Sequence, residues 1–130
     1  MPLHSKPSTK VFDSGASCNM FNNLSDFIKP LDNTIDTILT ANNNPIYSKG
    51  KGLTVSFGEA LYVPDLYQSL ISTSADDKSG NYTIFGNSKV YVFDEAPILK
   101  GNLIRKGILT NGLYICDNYI QDTSIGFRAS

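Results

Sequence analysis

The sequence VFDSGAS, residues 11–17, decides the fold that we expect for this chain. Its apolar start favours a buried strand, and the turn that follows presents the carboxylate of Asp13 at the strand end. Gly15 permits a positive φ and a close approach of backbone or ligand, and Ala16 and Ser17 are too small to block a groove. We interpret Asp13 as half of a catalytic pair, although Asp-Ser-Gly alone is also typical of an ordinary turn.

The composition of the 130 residues predicts one globular domain with a modest core. Hydrophobic residues make up 41% and charged residues 18% of the chain, which argues against disorder. The net charge is −1 and no lysine or arginine run occurs, so no nucleic-acid partner is expected. No apolar run suits a membrane span or a signal core, and we therefore expect a cytoplasmic protein with no membrane partner.

Residue counts argue against several familiar hydrolytic sites. The single histidine, His4, lies in a polar leader, so a Ser-His-Asp or Cys-His site is not expected. Cys18 and Cys116 with one histidine give too few ligands for an ordinary zinc site, and no metal or cofactor is expected. We expect both thiols to stay reduced rather than to form a disulfide. Among the familiar hydrolytic sites, a pair of carboxylates remains as the candidate.

Short β-forming runs between turn residues predict an all-β, barrel-like domain with one short helix. The helix is expected over residues 75–79, after N-cap candidates at 72–74 and before Gly80. Residues 21–27 are predicted as an irregular or single-turn segment. Strands are expected at residues 10–13, 34–40, 46–49, 53–57, 60–63, 82–85, 89–93, 98–100, 103–109 and 112–116. Residues 1–9 are predicted as a flexible leader, 10–117 as the domain and 118–130 as a tail.

The segment 34–49 is predicted as a β-hairpin with an asparagine-rich tip. Gly50 and Gly52 follow it and indicate a bulge, a hinge or a sharp exit. A mobile hairpin between flexible ends suits a lid over a groove. An ordinary surface hairpin is the alternative interpretation.

Five segments, in this order and spacing, resemble the aspartic proteases of copia-type long-terminal-repeat retrotransposons, which are relatives of the retroviral retropepsins. The resemblance covers roughly residues 10–117. The chain departs from retropepsins at Ser17 and Cys18, where those proteins often carry acidic residues that bind the peptide backbone. The matching segments are FDSGAS at 12–17 with Met20 soon after, GKG at 50–52, ALYVPDL at 60–66, LISTS at 70–74 and GLYI at 112–115.

The resemblance implies a retropepsin-like closed barrel that acts as a two-fold homodimer. Because the sequence holds a single Asp-Ser-Gly, the second carboxylate must come from a second copy, so that two Asp13 side chains share one proton and activate water. Part of the pairing surface is expected from residues 112–125. The implied catalytic residues are Asp13, Ser14 and Gly15, and the implied substrate contacts are Ala16, Ser17, Ala41, Asn42, Asn43, Asn44 and Ile71.

The resemblance also implies the substrate of such an enzyme. It would be the element's own capsid–polymerase polyprotein, processed within virus-like particles and bound extended under the hairpin flap. Two alternatives stay open: a non-catalytic dimeric interaction module with the same fold, and a monomeric β-domain in which Asp-Ser-Gly is a chance turn.

Overall fold

The computed structural model describes residues 9–28, 31–33, 35–39 and 44–117. Strands dominate this part of the chain, and it holds a single short α-helix, as the sequence predicted. The predicted tail and nearly all of the predicted leader lie outside the described residues. In chain order the elements are β1 (Lys10–Asp13), β2 (Met20–Phe21), a 3-10 helix (Leu24–Asp26), β3 (Thr37–Leu39), β4 (Pro45–Tyr47), β5 (Lys51–Leu53), β6 (Glu59–Tyr62), β7 (Ser69–Ser72), α1 (Thr73–Lys78), β8 (Tyr82–Gly86), β9 (Lys89–Phe93), β10 (Lys106–Thr110) and β11 (Leu113–Asp117).

The chain divides into two compact units, Met1–Ser72 and Thr73–Ser130. The first unit holds a five-stranded sheet in the order β1-β7-β2-β6-β5. β1 runs parallel to β7, with Phe12 opposite Ile71 and Asp13 opposite Ser72. β2 runs parallel to β6 and antiparallel to β7, and β5 is antiparallel to β6. β1 and β5 are therefore edges, and the predicted closed barrel is not found among the described strands.

The two residues of β2 supply both faces of this sheet. Successive strand residues point to opposite faces, and Met20 and Phe21 are accordingly buried in different clusters. The first core cluster is Met20, Leu61 and Val63, and the second core cluster is Phe21, Ala60 and Ile71. The ring of Phe21 meets that of Phe57 edge-on at 5.4 Å between centroids. Burying a side chain of this size stabilises the fold by about 2–3 kcal/mol.

A hairpin of β3 and β4 belongs to the first unit. The two strands are antiparallel, with Ile38 opposite Ile46, and this confirms the hairpin predicted over residues 34–49. Both isoleucines pack against the first core cluster. The tip at residues 40–43 lies outside the described part of the chain.

The strand predicted at residues 53–57 is wrong. β5 ends at Leu53, and a tight turn follows in which Thr54 donates twice to the carbonyl of Gly58, from its N–H and its hydroxyl, each at 2.8 Å. The Thr54 hydroxyl also accepts the N–H of Phe57 at 2.9 Å. The hydroxyl of a threonine can bond to its local backbone, and here these bonds stabilise the turn over residues 54–58, so the strand does not continue to Phe57.

The second unit holds two antiparallel hairpins, β8–β9 and β10–β11. Asn111 and Gly112 have φ values of 51° and 83°, which confirms the tight turn predicted at Asn-Gly. The predicted helix is α1, and Gly80 beyond it has a φ of 89°. The strand predicted at 98–100 is wrong: Ile98 is 96% exposed, and no neighbouring strand pairs with this run in the described structure.

Candidate active site

Asp13 lies at the last position of β1, where the chain leaves the sheet. Its Oδ1 accepts a hydrogen bond from the N–H of Gly15 at 2.8 Å, and its carbonyl accepts the N–H of Ala16 at 3.3 Å. The side chain is half-buried, whereas Gly15 is exposed. The carboxylate is therefore oriented by the backbone of its own turn.

Gly15 is suited to its position because the carboxylate of Asp13 lies close to it, and not because its backbone conformation is unusual. It is not among the residues with a positive φ, so the freedom expected for it is not used. A Cβ placed there would lie 3.2 Å from Oδ1 of Asp13. Any larger residue would press on the carboxylate that the turn orients.

Two buried polar side chains hold the loop that carries Asp13. The hydroxyl of Ser72 donates to the carbonyl of Ala16 at 2.7 Å. Oδ1 of Asn19 accepts the N–H of Ser72 at 2.8 Å, and its Nδ2 donates to the carbonyls of Phe57 and Glu59 at 3.0 and 3.2 Å. Because Asn19 and Ser72 are both buried, these bonds do not compete with water.

A cleft of about 460 Å³ opens beside this loop. One wall is the loop, and the facing wall is the start of the hairpin. Such a volume is within the range of about 300–1,000 Å³ that is common for ligand sites. The lining residues are Gly15, Ala16, Ser17, Cys18, Met20, Asp36, Thr37, Ile38 and Leu61.

The hairpin wall is attached at its base. The N–H of Asp36 donates to Oγ of Ser48 at 2.7 Å, and the N–H of Ser48 donates to the carbonyl of Asp36 at 2.9 Å. Ser48 is only 1% exposed. The N–H of Lys49 then donates to the carbonyl of Tyr62 at 2.7 Å. Any movement of the hairpin as a lid would therefore start beyond this anchored base.

Cys18 is a half-buried free thiol that lines the cleft. Burial raises its pKa, and the negative charges of Asp36 and Glu59 add to that rise. A hydrogen bond with Ser17 and the charge of Lys51 act in the opposite direction. The thiol therefore keeps its proton at neutral pH and is a poor nucleophile.

The structure brings five of the sequence-predicted site residues together on one loop. Ala16 and Ser17 line the cleft with Gly15. Ser14 is exposed and follows Asp13 directly, and neither of these two residues is among the described residues that line the cleft. The roles of Ser14 and Ser17 toward a second copy or a substrate stay predictions.

The remaining predicted contacts are placed elsewhere. Ala41, Asn42 and Asn43 lie outside the described residues. Asn44 is exposed just before β4 and is not among the described residues that line the cleft. Ile71 is buried in the second core cluster, so the structure does not bring its side chain to the cleft.

Sequence reasoning missed the residues that hold the two walls of the site. Asn19 and Ser72 hold the loop, while Asp36 and Ser48 bond to each other at the base of the hairpin wall. An asparagine directly before the apolar pair Met20-Phe21 was the available signal for the first of them, because a polar residue entering a buried strand needs partners. The partners of Ser48 are set by the hairpin register, which the sequence does not reveal.

No protein-family model, no curated protein and no solved structure matches this chain. The likeness to copia-type proteases therefore depends on the quoted segments alone. Across the described ranges, no three acidic, cysteine or histidine side chains are grouped closely enough to hold a metal ion. In the same part of the chain, no helix is long and apolar enough to cross a membrane.

Proposed function

We propose that this chain is an aspartic endopeptidase that acts as a homodimer. The observation that carries the proposal is the oriented carboxylate of Asp13, whose Oδ1 accepts the N–H of Gly15 at 2.8 Å on a loop that lines a cleft. The loop offers small residues where a peptide would pass, and a hairpin forms the facing wall.

The chemistry needs two carboxylates. Two such groups about 3 Å apart cannot both ionise easily, so one keeps a proton. The ionised one takes a proton from water, whose oxygen attacks the scissile carbonyl carbon, while the protonated one donates to the carbonyl oxygen. The intermediate collapses when the amide nitrogen accepts a proton and the carbon–nitrogen bond breaks, which leaves a free carboxyl and a free amine.

The second carboxylate would come from a second copy of the chain. Asp65, Asp94 and Asp117 lack the following Ser-Gly, so this sequence supplies one such turn. β1 is an edge strand of its sheet, and Ser14 and Gly15 beyond it are exposed. A two-fold axis at this edge would place the two loops side by side.

Within that class, we place the chain with the copia-type proteases, and the polyprotein of such an element is the proposed substrate. Three matched segments support this assignment because each begins in a strand of one sheet: FDSGAS in β1, ALYVPDL in β6 and LISTS in β7. The parallel pairing of β1 with β7 joins the first and the third of them.

The test is Asp13→Asn, since the carboxamide oxygen can still accept the N–H of Gly15 while the charge is lost. A randomised decapeptide library is digested by the full chain between pH 4 and 7 and read by mass spectrometry. We expect cleavage to fall at least about a hundredfold, while sedimentation still shows a dimer. Asp65→Asn, at an exposed turn position, is the matched control.

Undiminished cleavage by Asp13→Asn would remove Asp13 from the mechanism. A wild-type dimer that cleaves no peptide would instead support the interaction module. A monomer without activity would support the chance turn.

A further inference from the structure

We propose that the cleft selects peptides with a lysine or arginine side chain, which Asp36 recognises from the hairpin wall. This inference depends on the proposed endopeptidase function and adds a substrate class to it. It is carried by the chemistry of the cleft lining, by the absence of an ion-pair partner for Asp36 in the described structure and by the anchoring of its backbone.

The cleft lining combines an apolar part with one carboxylate. Ile38 is half-buried and supplies aliphatic surface beside the nearly buried Met20 and Leu61, and Asp36 on the facing wall is exposed. Lysine and arginine bury their methylene stems along apolar surface and keep the charged head outside it. A long basic side chain can therefore lie along Ile38 and end at the carboxylate of Asp36.

Among the described residues, no cationic side chain forms an ion pair with the carboxylate of Asp36. The charge of Lys51 lowers the pKa of the Cys18 thiol at the cleft wall. The ammonium group of Lys51 already pairs with Glu59 at 3.6 Å. Residues 33–48 contain no lysine or arginine. Lys49, the next residue, is exposed and is in none of the ion pairs found in the described residues.

The backbone of Asp36 is fixed in place. Ser48 bonds to both its N–H, at 2.7 Å, and its carbonyl, at 2.9 Å. A side chain on an anchored backbone loses less entropy when it binds a charged group, and this favours selection. Asp36 lines the same cleft as Cys18, and its charge raises the pKa of that thiol.

The first experiment finds the position in the substrate. Wild-type chain digests the randomised decapeptide library, and the products are sequenced by mass spectrometry. A two-fold dimer has two copies of the cleft, so we expect lysine and arginine to be enriched at one position on each side of the cut bond.

The second experiment measures the charge contribution. Two peptides differ at the enriched position, one with lysine and one with norleucine, which keeps a linear stem without the ammonium group. We expect wild type to favour lysine about fivefold in kcat/KM, as for a partly exposed ion pair. Asp36→Asn should cleave both peptides equally, Asp36→Lys should favour a glutamate peptide over the lysine one, and Asp65→Asn should behave as wild type.

Equal kcat/KM for the lysine and norleucine peptides in wild type would overturn the proposed preference for basic side chains. Cleavage of the norleucine peptide would still support the endopeptidase function. A lysine preference that persists in both Asp36 variants would overturn the role of Asp36. A wild-type chain that cleaves neither peptide nor the library would overturn the proposed function and this inference with it.

Discussion

The Asp13 loop and the β3–β4 hairpin line the same cleft, but different interactions hold them. Buried polar side chains hold the loop, since Asn19 and Ser72 bond to backbone groups on both sides of it. The hairpin is held by hydrogen bonds at its base, between Asp36 and Ser48, and beyond the base by apolar contact of Ile38 and Ile46 with the first core cluster.

This difference suits the task that we propose for each wall. Hydrogen bonds are directional, so they fix the Asp13 carboxylate within the narrow tolerance that a reacting group needs. Apolar contact is non-directional and tolerates small shifts, which suits a wall that accommodates peptides of differing shape. Substitutions in the loop and in the hairpin should therefore differ in the property that they change as well as in the size of the effect.

Asn19→Ala should have the largest effect on the free energy of unfolding. It removes the partner of the Ser72 N–H and of the Phe57 and Glu59 carbonyls. We expect a loss of about 3 kcal/mol in urea unfolding, because buried polar groups would lose their partners. Asn102→Ala, at an exposed position, should stay within about 0.5 kcal/mol of wild type. A loss below about 1 kcal/mol would show that this side chain does not hold the loop.

Ser48→Ala tests the hairpin wall and should cost less, about 1–2 kcal/mol. The N–H of Asp36 would lose the acceptor that now lies at 2.7 Å. Since the base would loosen while the Asp13 loop stays in place, we expect KM for the lysine peptide to rise with kcat nearly unchanged. Ser56→Ala, in the exposed turn after β5, is the control. A fall in kcat without a change in KM would contradict the division of roles between the walls.

The sequence predicted the loop better than the wall that faces it. Strand β1 and its Asp-Ser-Gly turn follow from local pattern, because a short apolar run before turn residues has few alternatives. The tight turn at Asn111-Gly112 was predictable for the same reason.

What the sequence could not provide is non-local. The strand expected at 53–57 fails because the Thr54 hydroxyl bonds to Gly58, a choice that the alternation of residue types does not encode. The place of Asp36 in the cleft depends on the hairpin register and on packing against the first core cluster. Ile71 belongs to the matched segment LISTS, and its alternation with Leu70 places Ile71 in the second core cluster while Leu70 packs against the first.

Gly15→Ala should change activity more than stability. The added Cβ would meet Oδ1 of Asp13 at 3.2 Å, and the carboxylate would shift by a few tenths of an ångström. We expect the free energy of unfolding to change by less than about 0.5 kcal/mol. We expect kcat to fall about tenfold, because a small displacement of a reacting group lowers the rate. Gly86→Ala is the matched control, because a Cβ there meets nothing within 4 Å. An unchanged kcat would mean that the carboxylate need not be held so closely.

The smallest expected effect tests whether the charge on one wall reaches the other. The carboxylate of Asp36 adds to the rise in the pKa of the Cys18 thiol, after burial as the main cause. Asp36→Asn removes that charge, so the pKa should fall, the thiolate fraction should rise, and iodoacetamide should alkylate Cys18 faster. Because burial remains, we expect an increase of less than about threefold at pH 8, measured by mass spectrometry.

Cys116, exposed on β11, gives the internal reference rate in the same sample, and Asp65→Asn should leave the ratio of the two rates unchanged. If Asp36→Asn slowed alkylation of Cys18 or left it unchanged, the carboxylate would not act across the cleft. The hairpin would then meet the loop through apolar contact alone, and the case for Asp36 as a selector of basic side chains would lose its electrostatic support. A faster reaction limited to Cys18 would show that the charge of Asp36 on the hairpin wall raises the pKa of a thiol on the loop wall.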